Sequence, residues 1–104
     1  MIRVIYRWRV NPGGEQAFQQ AWEQGTKAIM RAVEGSHGSL LMRCGDTPSE
    51  FAGMAKWESF EAWRAAHKSP NWPPDREATR VVHRVAGKTI SREIFEELSD
   101  LTDV

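Results

Sequence analysis

Residues 2–10, IRVIYRWRV, alternate without a break, with Ile2, Val4, Tyr6, Trp8 and Val10 on one side and Arg3, Ile5, Arg7 and Arg9 on the other. An extended chain sends successive side chains to opposite faces, so this stretch predicts a strand with one apolar face. NPGG at 11–14 breaks it, and the period then changes. Phe18, Ala21, Trp22, Gly25, Ile29, Ala32 and Val33 recur at intervals of mostly three and four, forming one stripe of an amphipathic helix. Glu15, Gln19, Glu23, Lys27 and Arg31 form its polar side, and Gly35 is placed to end it.

GSLLMRC predicts a second strand, with Leu40, Met42 and Cys44 opposite Leu41 and Arg43. FAGMAKW predicts a third, with Phe51, Gly53, Ala55 and Trp57 on one side. The short GDTPSE turn between them makes an antiparallel hairpin. Ser59 is placed to cap a helix that runs to about Lys68, where Pro70 interrupts it. PPDREATRVVHRVAG has prolines at its start, acids in its first turn and Gly87 at its end, so it predicts another helix. TISREIFEELSDL fits a strand or a helical turn. We assign it as a strand because the sheet opened by strand one needs a closing partner.

The resulting order is β-α-β-β-α-β with the second helical region split. This is an α+β, ferredoxin-like architecture: a four-stranded antiparallel sheet with helices on one face, expected to form a single domain over 1–104. The helices are expected on the side bearing Tyr6, Trp8, Met42 and Trp57. The other face would carry Arg3, Arg7, Arg9, Arg43 and Lys56 among Ile5, Leu41 and Met54. Glu93, Phe95 and Glu97 of strand four would offset the strand-one arginines across the ladder. A half-apolar face on so small a domain predicts a homodimer packed through the face bearing Arg3, Ile5 and Arg7.

The 14 basic and 14 acidic side chains cancel. Such a balance argues against a nucleic-acid partner and against an anionic membrane surface. No window is apolar enough to span a bilayer, and arginines interrupt any export signal, so a cytoplasmic location is expected. Cys44 is the only cysteine and cannot form an internal disulfide. His37, His67 and His83 show no paired spacing, so no metal site is expected. His37 and His83 are expected to face solvent. NPGG lacks the length and the lysine of a phosphate-cradling loop. The unusual number is five tryptophans against one tyrosine and four phenylalanines. Composition alone allows either a core rich in large side chains or an aromatic-walled cavity for a flat ligand.

The element order, VIYRWRVNPGGEQAFQQAW and KWESFEAWRAAHKSPNW together resemble the antibiotic biosynthesis monooxygenase family over about residues 2–98. The second segment carries Ala66, His67, Ser69, Pro70 and Trp72, matching a helix with Ala-His followed by Ser-Pro and an aromatic. The resemblance implies a ferredoxin-like domain that dimerises into an α+β barrel. It also implies oxidation of a flat phenolic aromatic by O2 without metal, flavin or other cofactor. On that reading His67 is the catalytic base, and Tyr6, Trp8, Trp22, Trp57, Trp63 and Trp72 hold the ring, with Arg43 a weaker candidate for stabilising an anion. Trp63 and His67 lie four apart and share a helical face, the one geometric point that favours a site. Two alternatives stay open. One is a non-catalytic dimeric module that binds a small aromatic metabolite. The less favoured is a haem-degrading oxygenase, because Tyr6 stands where that branch has asparagine and the Trp63–His67 interval is shorter.

Overall fold

A computed structural model describes residues 1–87 and 89–102. The expected domain, 1–104, includes Lys88, Asp103 and Val104, which lie outside the described residues. The elements run β1 (Ile2–Arg9), α1 (Glu15–Ala32), β2 (Ser36–Arg43), β3 (Glu50–Trp57), α2 (Phe60–Lys68), α3 (Arg76–Ala86) and β4 (Thr89–Glu96). All pairings are antiparallel, in the order β2-β3-β1-β4, and the sheet is not closed. The ferredoxin-like α+β expectation holds, including the split helical region and the strand at the C-terminal end.

Local chemistry explains most boundaries. Pro12 and Gly13 occupy the middle of the first turn; Gly13 has φ +84°, and the Gly14 N–H donates to the Asn11 carbonyl at 2.9 Å. Proline followed by a left-handed glycine is the type II turn pattern. The Ser59 hydroxyl accepts from the Ala62 N–H at 3.0 Å, and the Asp75 carboxylate accepts from the Ala78 N–H at 2.9 Å, capping α2 and α3. The helix stripes then cover the inward row of β1. One half of the core joins Ile2, Val4, Trp57, Trp63 and Ala66, and the other joins Trp8, Val10, Phe18, Phe51 and Ala86. Phe18 is fully buried, which by itself removes enough apolar surface to be worth about 2–3 kcal/mol.

Strand two corrects one expectation. Ser36 pairs with Trp57 but Ser39 pairs with Ala55, so His37 and Gly38 of β2 together oppose Lys56 of β3. This β-bulge, with Gly38 at φ +91°, reverses the phase of everything after it. Leu41 and Arg43 therefore lie on the helix side, opposite Gly53 and Phe51, while Leu40 and Met42 face away. Met42 does not belong to the core face; it is 44% exposed. The Arg43 guanidinium lies over the Phe51 ring at 5.1 Å, outside the face where alternation alone would place it.

The other sheet face carries Arg3, Ile5, Arg7, Met54, Lys56, Leu40, Met42 and Phe95. Its charges pair as strand order suggests: Arg3 with Glu97 at 2.8 Å and Arg7 with Glu93 at 3.9 Å. Among the described residues no helix is long and apolar enough to cross a membrane.

Candidate functional site

Between α1, α2, α3 and the inward sheet face lies a cavity of about 440 Å3. It exists because small side chains stand in the middle of the sheet. Gly53 is opposite Tyr6, Ala55 is opposite Val4, and the bulge brings Ser39 beside Ala55. The Trp8 indole lies across Gly53, so close that a Cβ there would stand 2.9 Å from the ring. Trp8 stacks with Tyr6 at 5.8 Å and an interplanar angle of 15°.

Of the seven residues expected at a site, six line this cavity: Tyr6, Trp8, Trp22, Trp57, His67 and Trp72. Trp63 does not. It is buried behind the wall, with its ring 4.5 Å from the His67 ring and 5.7 Å from Phe60. The shared face of Trp63 and His67 thus turns toward the sheet, but the tryptophan serves as backing for the histidine. Trp72, supplied by the segment after α2, closes on His67 from another side at 4.1 Å, and Trp57 stands at 6.1 Å.

His67 Nδ1 lies 2.8 Å from the Trp63 carbonyl oxygen, one helical turn back. A carbonyl only accepts, so Nδ1 carries the proton and Nε2 of the neutral ring keeps its lone pair. Burial among indoles lowers the His67 pKa from its ordinary value. The Trp63 carbonyl opposes that shift by stabilising the cation, and the Arg92 guanidinium adds to it. The half-buried ring is therefore neutral at pH 7 and able to accept a proton. Burial also raises the Tyr6 phenol, with the Trp63 indole N–H and Arg92 acting in the opposite direction. That indole N–H acts on the phenol without completing a hydrogen bond, and it is a buried donor without an acceptor.

Arg92 is the residue that the sequence reading missed. It pairs across the ladder with Tyr6, lines the cavity, and holds its guanidinium 5.1 Å from the centre of the Trp63 ring. The signal was present in period two, since Arg92 and Ile94 share a face of strand four. It was hidden because residues 90–98 also fit a helical turn. His83, expected to face solvent, remains exposed yet borders the cavity from α3.

A wider groove of about 970 Å3 lies on the far side of Trp72. Alanines and prolines are prominent in its lining, beside Glu34, Glu58 and Arg76, and no histidine is among the described residues that line it. Volume does not make it the better candidate, because nothing in it combines a flat apolar wall with a poised base. Among the described residues no three His, Cys, Asp or Glu side chains gather closely enough to hold a metal ion.

An open ferredoxin-like sheet whose helices cover an indole-walled cavity beside a histidine defines a small α+β domain of ferredoxin-like fold. The chain belongs to the antibiotic biosynthesis monooxygenase family, whose model matches residues 1–73. Solved structures agree on the fold. One, described as a putative antibiotic biosynthesis monooxygenase from Bordetella bronchiseptica, has a TM-score of 0.78 at 22% identity, covering 94% of this chain and 97% of that one. SnoaB, a cofactor-independent oxygenase from Streptomyces nogalater, has a TM-score of 0.78 at 18% identity, covering 98% of this chain and 97% of its own. Rv0793 from Mycobacterium tuberculosis has a TM-score of 0.72 at 17% identity, with coverage of 97% and 98%. No curated protein matches the sequence at a significant level.

Proposed function

We propose that this chain is a cofactor-independent monooxygenase that oxidises a flat phenolic aromatic with O2, with His67 as the base. The observation that carries the reading is the His67 geometry. Its Nδ1 proton is committed to the Trp63 carbonyl, its other nitrogen is basic, and its ring is held between Trp63 and Trp72 beside an aromatic cavity. Family membership and the oxygenase among its structural neighbours support the same chemistry.

In the proposed reaction Nε2 takes the phenolic proton, and the electron-rich phenolate reduces O2 directly. One oxygen atom enters the ring in place of a hydrogen and the other leaves as water. The ring gives up the four electrons that O2 takes, so a phenol and O2 become a quinone and water without an outside reductant. Tyr6, Trp8, Trp22, Trp57 and Trp72 hold the ring and exclude solvent from the reactive intermediates, while Trp63 positions the base from behind. The active form would be a homodimer, with two sheets packed through their open faces into an α+β barrel.

The test titrates a panel of naphthols and anthracenols against indole fluorescence, then follows oxygen uptake in wild type and His67→Gln. Saturable quenching in both proteins is expected, with oxygen uptake at least about 100-fold slower in the variant. Because burial lowers the His67 pKa from its ordinary value, activity is lost only as pH falls through that lowered pKa, so the acid limb of kcat/KM is expected on the acid side of an ordinary histidine. Equal uptake by the two proteins would remove His67 from the mechanism. Saturable binding with no uptake in either would make the chain an aromatic-binding module.

A further inference from the structure

The charge inside the cavity is lopsided. Among the described residues its lining holds no Asp, Glu or Lys, and Arg92 is the arginine there. On the neighbouring strand β1 the arginines have carboxylate partners: Arg3 meets Glu97 and Asp100, Arg7 meets Glu93, and Arg9 meets Glu50. Those partners lie on the open face or at its edge. Arg92 is on the helix side, and among the described residues it forms no ion pair and no side-chain hydrogen bond to a protein acceptor. What fixes it is the Trp63 ring, over which the guanidinium lies at 5.1 Å. This contact leaves the edge of the fork, with its N–H donors, available. The same indole lies 4.5 Å from His67, so the cation and the base stand at one end of the cavity.

A planar guanidinium matches the two oxygens of a carboxylate and holds them through parallel hydrogen bonds. The cavity thus combines flat indole walls with one unneutralised, partly pre-positioned carboxylate acceptor site. We propose that the ligand is an aromatic carboxylate, bound with its acid group on Arg92 and its rings against the indoles. This inference rests on the reading of the cavity as an aromatic-ligand site and goes beyond it by naming the group that selects the ligand. The molecule as a whole carries no net charge, so a preference for anions must come from this local group. Because Arg92 is exposed at the cavity wall, the effect is moderated by solvent and weakened by salt.

The test is calorimetric titration of the full chain with 2-naphthoate, its methyl ester and 2-naphthol at pH 7, using wild type, Arg92→Gln and Arg92→Lys. Wild type is expected to bind the carboxylate about 10-fold or more tightly than the neutral ester. Arg92→Gln is expected to bring the ratio of acid to ester affinity to about one, and Arg92→Lys to keep part of the preference. Thermal melts of the variants check that each is folded, as a surface-exposed position allows. A preference that survives in Arg92→Gln, or equal binding of acid and ester by wild type, overturns the assignment of Arg92 and leaves the aromatic site standing. Tighter binding of 2-naphthol than of 2-naphthoate overturns the carboxylate class in the same way. Failure of all three probes to bind overturns both readings together.

Discussion

Gly53 is where cavity and core compete for the same space. It faces Tyr6 across the ladder and lies beneath the Trp8 indole, and an added Cβ would stand 2.9 Å from two atoms of that ring and 3.4 Å from the Trp22 indole nitrogen. The Trp8 indole is held by its neighbours, against Phe18 at 5.2 Å and against Tyr6 at 5.8 Å. Gly53→Ala should therefore destabilise the fold by about 1–3 kcal/mol through overpacking, lowering Tm by several degrees in a thermal melt. An unchanged Tm would mean that Trp8 swings into the cavity without cost, and that the wall is not fixed. His67 shows how position changes a residue's meaning: a helix-end histidine in water would titrate near 6.5, but this one is packed among tilted indoles and bonded to its own helix.

At the scale of elements, α3 depends on a single aspartate. The Asp75 carboxylate accepts from the Ala78 N–H at 2.9 Å and from the Gln24 side chain of α1 at 3.1 Å, so it caps one helix and ties it to another. Asp75→Ala should cost about 1–2 kcal/mol in urea unfolding, and Asp75→Asn much less, because asparagine also caps. Equal losses would point to the carboxylate's charge at the helix N-terminus instead of its acceptor geometry. Strand two shows the limit of reading elements by period. Its apolar residues alternate correctly on the page, but one extra residue at the Ser36–Ser39 bulge turns Leu41 inward and Met42 outward.

For the whole molecule, the open sheet face is the exposed liability. Leu40, Met42 and Phe95 are 56%, 44% and 48% exposed there, around Ile5 and Met54. With its arginines already paired to carboxylates, such a face is better matched to an apolar partner than to an anionic one. If two copies pack through it, as proposed, light scattering on wild type gives about twice the monomer mass. Met54→Lys, which places a charge in the middle of the face, should then give monomers at micromolar concentration. A monomeric wild type would overturn the dimer, and with it the closed barrel.

Much of this was legible in the chain itself. Period two in IRVIYRWRV, the switch to a helical stripe after NPGG, and the cap at Ser59 are local signals, and local physics decides them. They order the elements as far as α3, while the resemblance to the family singled out Tyr6, Trp8, Trp22, Trp57, His67 and Trp72, which the fold brings to one cavity. Tertiary structure decided what local signals do not carry. A bulge set the phase of β2, because register depends on the partner strand as well as on the strand's own pattern. Antiparallel pairing placed Arg92 opposite Tyr6, although 85 residues separate them in the chain. Packing moved Trp63 from the wall to the layer behind it, since on one helical face the rotamers and the depth of the sheet determine which side chain reaches the cavity. Whether five indoles made a core or a cavity was likewise a question of shape. Both occur: Trp8, Trp57 and Trp63 are buried in the core, and the small side chains of Gly53, Ala55 and Ser39 leave the cavity that Trp8, Trp22, Trp57 and Trp72 line.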